Sequence, residues 1–181
     1  MQGCDVNYDR TIYGSGRNWW NWESGGLTAL HLAVRERNAK FVAKLLTVPN
    51  ITVDHKSENG ETALFYAAKV GFVQILSMLH TAGADIHAKK KKRGDLAIHV
   101  AAKLGRPRVV KTLVQLGEDL DVLGGRYDRT ALILAVMYHN HAVAEYLVQM
   151  GADPHIQDAD GWTAMDYADQ DMEQILKHGT V

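Results

Sequence analysis

The sequence predicts an all-α fold, a solenoid of stacked helix pairs joined by short hairpin or loop tips. A Thr-Ala-Leu signal recurs with steps of 34, 34, 34 and 33 residues, at positions 28, 62, 96, 130 and 163. A leucine-centred signal at 44–46, 78–80, 112–114 and 146–148 keeps the same step, and so does a glycine turn at 83–85, 117–119 and 151–153. Three signals in one register indicate an array of repeated units.

The first helix of each unit is predicted from its capping residue and its small side chains. A threonine such as Thr62 begins most units, and its hydroxyl can accept a hydrogen bond from a backbone N–H that the first helical turn leaves free. Alanine or valine pairs follow at 33–34, 67–68, 101–102 and 135–136. Side chains of this size allow a second helix to approach closely.

The second helix of each unit follows a glycine turn, as at Gly71 and Gly105. In the second unit Phe72, Ile75, Leu76 and Leu79 have the spacing of one helical face. A single helix pair cannot bury such a face alone, so neighbouring units must stack on one another.

Composition and charge exclude several classes of protein. The chain of 181 residues is 46% hydrophobic and 23% charged, which is typical of a folded domain. Its single cysteine, Cys4, excludes an intrachain disulfide framework and a cysteine-based zinc site. No apolar run approaches the ~18 residues that a membrane span needs, and the polar residues 1–17 do not resemble a signal peptide. We therefore expect no membrane association and a cytoplasmic or nuclear protein.

The stretch 151–164, Gly-Ala-Asp-Pro-His-Ile-Gln-Asp-Ala-Asp-Gly-Trp-Thr-Ala, resembles the ankyrin repeat consensus. The resemblance covers about residues 23–179 and implies an ankyrin-repeat solenoid of five helix pairs, with a short last unit as a cap. The implied repeats lie near 24–56, 57–89, 90–123, 124–157 and 158–179. Leu96 replaces the helix-start threonine, and Phe65, Ile133 and Asp166 replace the motif histidine.

Residues 1–22 lie outside the resemblance and are expected to be a flexible segment with a tryptophan-rich cap. Trp19, Trp20 and Trp22 precede the first repeat. They could cover the apolar face of the terminal unit or form an aromatic patch that binds a partner. The sequence favours the cap and leaves both open.

Charge is distributed unevenly along the chain. Residues 86–117 contain nine Lys or Arg and one acid, whereas residues 130–176 contain eight acids and no Lys or Arg. The basic run, Lys89 to Arg93, falls on a tip between units. Such runs occur as nuclear import signals and as patches for acidic partners, and also as solvated loops. These readings remain alternatives.

Residues with catalytic or metal-binding chemistry form no recognised motif. His31 and His99 fall at the motif histidine, which the resemblance makes structural. His139 and His141 lack an obvious third metal ligand, and Gly124-Gly125 is a turn signal. Asp166, Asp169 and Asp171 fit a soluble cap better than acid–base chemistry. We expect no enzyme activity, no cofactor and no metal.

The resemblance implies a concave partner-binding surface made of the hairpin tips and the outward positions of the first helices. Carried over by position, it predicts these residues: Arg35, Glu36, Lys69, Val70, Lys92, Arg93, Lys103, Leu104, Arg126, Tyr127, Arg129, Met137, Tyr138 and Trp162. Leu32, Tyr66, Val100, Leu134 and Tyr167 occupy an apolar position that is expected to pack.

The main functional hypothesis is a protein-interaction module, an adaptor, scaffold or inhibitor, that is monomeric alone. Its partner is another protein, with an acidic segment as the favoured chemistry. One alternative is nucleic-acid or polyanion binding through residues 89–111, which ranks lower because aromatic residues are not interleaved with the bases. The other alternative is an enzyme with an unrecognised site.

Overall fold

A computed structural model describes residues 26–90 and 94–178, apart from the side chain of His178. Within these residues the chain forms nine α-helices and no β-sheet, which confirms the predicted fold class. The helices are α1 (Ala29–Arg35), α2 (Ala39–Leu46), α3 (Ala63–Val70), α4 (Val73–Thr81), α5 (Ala97–Lys103), α6 (Pro107–Gln115), α7 (Ala131–Met137), α8 (His141–Gln149) and α9 (Gln170–His178).

The first eight helices form four consecutive pairs that stack in two rows. The first helices α1, α3, α5 and α7 pack side by side, and the second helices α2, α4, α6 and α8 form the other row. Ala33, Ala67, Ala101 and Ala135 lie inside the first row and are at most 3% exposed. Their small side chains let neighbouring backbones approach, as the sequence predicts.

The starts of the first helices follow the predicted cap, with one substitution. The Thr62 hydroxyl accepts a hydrogen bond from the Phe65 N–H at 3.3 Å, and Thr130 caps α7 in the same way. Leu96 has no side-chain acceptor, and its own N–H donates to Nδ1 of His99 at 3.1 Å. A buried histidine therefore orders the start of α5 where threonine is missing.

The second helices bury the predicted apolar face. Ile75, Leu76 and Leu79 of α4 are fully buried, and Phe72 is half-buried at its start. Leu113 of α6 is fully buried as well. Since α6 packs between α4 and α8, this side chain lies where the register of the second helix places it.

The fifth unit departs from the predicted helix pair. Residues 164–167 form a turn where the other units have a first helix, and α9 follows as the second helix. The expectation of five helix pairs is therefore wrong: the described chain has four complete pairs, and the fifth unit contributes only α9.

The spacing of two helix caps explains this difference. In the first unit ten residues separate the caps Thr28 and Asn38, which leaves room for α1 and a turn. In the fifth unit Asp169 follows Thr163 by only six residues, and its carboxylate accepts a hydrogen bond from the Met172 N–H at 2.9 Å. Because a new helix starts so soon, only a turn fits between the two caps.

Some sequence expectations lie outside the described residues. They concern the segment 1–22 with its three tryptophans, the limits of the repeat array at 23 and 179, and residues 91–93 of the basic run. The choice between a tryptophan cap and a partner patch stays a prediction.

Candidate functional site

A groove runs along the first helices of the three middle units. Its cavity of about 540 Å³ is bounded by α3, α5 and α7 and by the tips that precede α5 and α7. Several residues that were predicted to bind a partner line it together: Lys69, Lys103, Leu104, Arg126, Tyr127, Arg129 and Tyr138. Tips and first helices thus meet on one surface, which we call the middle groove.

The remaining predicted partner residues do not line the middle groove. Arg35, Glu36, Val70, Met137 and Trp162 lie outside its lining, and Lys92 and Arg93 lie outside the described residues. Arg35 and Glu36 pair with each other at 3.4 Å at the end of α1. The structure therefore brings the middle of the predicted surface into one cavity and leaves its two ends apart.

A buried carboxylate pairs with two of the groove cations. Oε1 of Glu61 lies 2.6 Å from Nζ of Lys90 and 4.0 Å from Nζ of Lys69. Burial alone would raise the pKa of Glu61, but these ammonium groups and the Tyr66 hydroxyl outweigh it and hold that pKa below its ordinary value. Burial and the same carboxylate raise the pKa of Tyr66 to about 12.

The third unit repeats this arrangement without the ion pair. Asp95 and Lys103 occupy the positions of Glu61 and Lys69, each 34 residues further along the chain. Within residues 26–90 and 94–178 neither Asp95 nor Lys103 forms an ion pair within 4.0 Å. Nζ of Lys103 instead lies 4.9 Å from the ring centroid of Tyr138, a cation–π distance.

At the fourth unit the guanidinium of Arg129 is bound within the protein. Its Nε donates to Oδ2 of Asp158 at 3.0 Å, and its Nη2 donates to the Tyr167 hydroxyl at 3.0 Å. The guanidinium carbon also lies 4.6 Å from the ring centroid of Tyr127. Arg129 therefore links the fourth and fifth units, and only part of it faces the groove.

Arg126 is the more available cation of this tip. Its side chain is exposed and its guanidinium lies 5.7 Å from the ring centroid of Tyr127. The groove lining contains five cationic and two acidic side chains, so it is positive overall. Glu61 and Asp158 pair with the other three cations, whereas Lys103 and Arg126 form no ion pair within residues 26–90 and 94–178.

His99 and Gly124 form the wall of the groove between the third and fourth units. The imidazole accepts from the Leu96 N–H at Nδ1, so the proton is on Nε2, which donates to the Val122 carbonyl at 3.0 Å. A Cβ at Gly124 would lie 2.5 Å from Cε1 of His99. Gly124 is therefore a close-packing position, although its sequence indicates only a turn.

The floor of the groove is apolar. Val100 and Leu134 line it and are half-buried, although the sequence predicted that they pack rather than face a ligand. Each side chain packs against the core and also lines the cavity. Helical spacing was the available signal: Val100 is three residues before Lys103 and shares its face.

The histidines and carboxylates of the last units have structural contacts. Nδ1 of His139 lies 3.0 Å from Oδ2 of Asp169, and Asp166 accepts from the Thr163 N–H and hydroxyl. Among the described residues, no group of three or more His, Cys, Asp or Glu could hold a metal ion.

A second cavity of about 460 Å³ lies between α8 and α9, and its lining includes His141 and Asp171.

The described helices are short. In the described part of the chain, none is long and apolar enough to cross a membrane.

Comparisons with known proteins agree with the repeat architecture. The family model described as "Ankyrin repeats (3 copies)" matches residues 3–90, 30–124, 75–158 and 98–178 in overlapping segments. A curated relative, the Nuclear factor NF-kappa-B p105 subunit of Gallus gallus, is 39% identical over 67 residues. The matched segment is 37% of this chain and 7% of that protein, so the chain covers far less than two thirds of its length.

Proposed function

Because this chain belongs to the ankyrin repeat family, whose repeats are generally protein–protein interaction modules, we propose that it is an adaptor, scaffold or inhibitor. The partner is a protein that binds in the middle groove. The observation that carries this proposal is the pairing of cations with tyrosines in one open cavity, Lys103 with Tyr138 and Arg129 with Tyr127. Tyrosine and arginine are enriched where proteins bind each other.

The ends of the proposed interface extend beyond the middle groove. Towards the first unit it includes Arg35, Glu36 and Val70, and towards the last it includes Met137 and Trp162. Lys92 and Arg93 of the basic run complete the set. Trp162 is 51% exposed, so it can bury a large area on a partner without rearrangement of the fold.

The proposal includes no enzymatic activity, in keeping with a family that is typically non-enzymatic. The histidine of the middle groove supports this, because both ring nitrogens of His99 are bound to backbone groups. Glu61 is held by two lysines, and its lowered pKa makes it a poor proton acceptor. A general base needs a free acceptor of suitable pKa within reach of a substrate.

Nucleic-acid or polyanion binding through residues 89–111 is the second candidate, and the positive lining of the groove favours it. Against it, a polyanion that runs along the whole groove would meet both Glu61 and Asp95, which lie in the same lining. The logarithm of the binding constant of a nucleic-acid complex would fall steeply and linearly with the logarithm of salt concentration.

We place the protein in the cytoplasm as a monomer, with the basic run as a candidate import signal for the nucleus. A fluorescent fusion in which Lys89, Lys91 and Lys92 are serine tests the import signal. Loss of nuclear fluorescence supports it, and an unchanged distribution contradicts it.

Capture of partners by the intact chain tests the proposed function. The bait is compared with Tyr138→Ala, which truncates a groove side chain that is 47% exposed, and with Phe41→Ala, whose ring is 45% exposed on α2 outside the groove. We expect a captured protein that is lost with Tyr138→Ala and retained with Phe41→Ala. Equal capture by all three baits would contradict the groove as the interface.

A further inference from the structure

Two neighbouring units treat the same acidic position differently. Glu61 and Asp95 each lie one residue before the cap of a first helix, and Lys69 and Lys103 each lie near that helix's end. The Glu61 carboxylate reaches Lys69 and Lys90, at 4.0 and 2.6 Å. Asp95 is one methylene shorter and forms no ion pair in the described part of the chain.

The cations of the groove differ in whether they have a carboxylate partner within the protein. Lys103 and Arg126 lie on the walls of the same cavity, and their charged groups contact only the rings of Tyr138 and Tyr127 among the described residues. The other cations of the lining, Lys69, Lys90 and Arg129, each contact an internal carboxylate. Lys103 of the third unit and Arg126 of the fourth are therefore the lining cations that have no internal carboxylate partner in the described part of the chain.

We infer that Lys103 and Arg126 form a subsite that binds an aspartate or glutamate side chain from an extended acidic segment of the protein partner. The inference rests on the proposed function and specifies its ligand chemistry. The carboxylate would lie between the Lys103 ammonium and the Arg126 guanidinium, just as the Glu61 carboxylate in the second unit pairs with amines from two elements. Val100 and Leu134 beneath it provide an apolar floor for the aliphatic stem of the acidic residue.

Glu61 also sets the position of the acidic segment. An incoming carboxylate near Lys69 and Lys90 would meet the negative charge of Glu61, so those lysines are not a second subsite. At the other end of the groove, Asp158 forms an ion pair with Arg129. Because Glu61 and Asp158 already pair with the neighbouring cations, those cations attract the partner's acid less strongly than Lys103 and Arg126 do.

A labelled polyglutamate peptide and the full chain test the subsite by fluorescence anisotropy. Lys103→Gln with Arg126→Gln should weaken binding about tenfold, the effect of losing roughly one charge-assisted hydrogen bond. The matched control is Lys40→Gln with Lys111→Gln, which removes the same charge from exposed positions outside the groove. An equal loss in both variants would overturn the subsite in favour of general electrostatic attraction.

Two further variants separate the subsite from net charge. Asp95→Glu leaves the net charge unchanged but extends the carboxylate towards Lys103, so binding should weaken several-fold, whereas Asp171→Glu on exposed α9 should have no effect. Glu61→Gln should strengthen binding, because it releases Lys69 and Lys90. An unchanged affinity with Asp95→Glu would overturn the inference. Tighter binding of a phosphoserine peptide of equal charge would overturn the assignment to a carboxylate.

Failure of the subsite and failure of the proposed function give different results. If polyglutamate does not bind but partner capture still depends on Tyr138, the subsite is wrong and the groove remains the interface. If capture does not depend on Tyr138, the proposed function is wrong, whatever the peptide does.

Discussion

The third and fifth units attach to the fourth by different interactions. The third unit uses apolar packing around Leu113 and a neutral histidine, His99, whose ring lies between backbone groups. The fifth unit adds a charged cluster to its apolar contacts, in which Asp158 accepts hydrogen bonds from Arg129 and from the Tyr167 hydroxyl, at 3.0 and 2.9 Å.

The difference follows from the number of neighbours. An interior unit is covered on two sides and gains most from burying apolar surface, whereas a terminal unit must keep a polar outer face. The fifth unit has lost its first helix, so it offers less apolar surface to its neighbour. A buried ion pair with several hydrogen bonds provides part of the attachment in its place.

Truncation of a buried leucine in each unit should give the largest difference in the free energy of unfolding. Leu113→Ala should reduce the free energy of unfolding by ~2–5 kcal/mol, because the cavity lies between three helices of the stack. Leu176→Ala removes an equally buried side chain from α9, whose neighbour is α8, and should unfold only the last unit. Chemical denaturation and hydrogen exchange measure both. A loss below ~1 kcal/mol for Leu113→Ala would contradict the register of α6.

Gly124→Ala should weaken the junction between the third and fourth units. The added methyl group would lie 2.5 Å from Cε1 of His99, so we expect a loss of ~1–3 kcal/mol through overpacking. In a His99→Ala background the same change should cost much less, because the ring that it meets is absent. Denaturation of the four proteins gives the coupling energy, and additive effects would show that the contact is not the cause.

Asp158→Asn should loosen the fifth unit by about 1–2 kcal/mol and leave the third unit unchanged. The amide loses the negative charge to which Arg129 donates, in a side chain that is fully buried. The control is Asp160→Asn, whose carboxylate is 51% exposed and lies 4.0 Å from the same guanidinium. Hydrogen exchange of α9 should rise with Asp158→Asn alone. Equal effects of both variants would contradict a specific role for the buried pair.

Acid should weaken the two junctions in different pH ranges. Burial lowers the pKa of His99 below its ordinary value of 6.5, so its contribution is full above pH 6.5 and is lost as the pH falls through the lowered pKa. Burial opposes ionisation of Asp158, but hydrogen bonds from Arg129, Tyr167 and the Trp162 N–H hold its pKa below 3.8. Its contribution is full above pH 3.8 and is lost only below that.

Exchange rates measured between pH 7 and pH 3 test this order. The junction of the third and fourth units should begin to lose protection first, and the last unit afterwards. His99→Gln should flatten the upper part of the profile and Asp158→Asn the lower part. Earlier loss of protection in the last unit would contradict the assignment of a neutral histidine junction and a charged aspartate junction.

The smallest expected effect is on the rate at which a partner associates with the basic third unit. The fifth unit is acidic and has no such basic run. Replacement of Lys89, Lys91 and Lys92 by serine should slow partner association a few-fold at low salt and less at high salt, because exposed charges steer encounter over about a Debye length. Lys90 is kept because it binds Glu61.

Tyr138→Ala should instead raise the dissociation rate at any salt concentration, because this side chain lines the groove at the end of α7. Stopped-flow or surface-binding kinetics with the identified partner measures both variants. A lysine effect that is independent of salt, or an unchanged dissociation rate with Tyr138→Ala, would contradict these roles.

Most of the fold could be predicted from the sequence because a repeat array depends on local spacing. The 34-residue step fixes which helices stack, and Ile75, Leu76 and Leu79 identify the buried face of α4. The lost first helix of the fifth unit was missed, although Asp169 at six residues after Thr163 carried the signal. A cap that starts the next helix early limits the length of the helix before it, and the repeat period alone does not reveal such a cap.

The sequence predicted the types of residue in the candidate site, but only half of the predicted residues line the middle groove. Outward positions of the first helices identified Lys103 and Tyr138, which share the middle groove. The sequence could not identify Arg129 as a link to the fifth unit, because its partners Asp158 and Tyr167 lie 29 and 38 residues further along the chain. Such a pair depends on how tips align after stacking.

The sequence by itself determined the class of fold, the order of the units and the positions of the basic segment and the acidic end, because each depends on spacing or composition along the chain. The tertiary structure decided which cations are neutralised. Glu61 reaches Lys69 and Lys90, whereas Asp95 forms no ion pair with Lys103 in the described residues. A glutamate carboxylate reaches about 1.5 Å further than an aspartate carboxylate, and a difference of this size matters only where stacked units place charged groups within a few ångströms of contact.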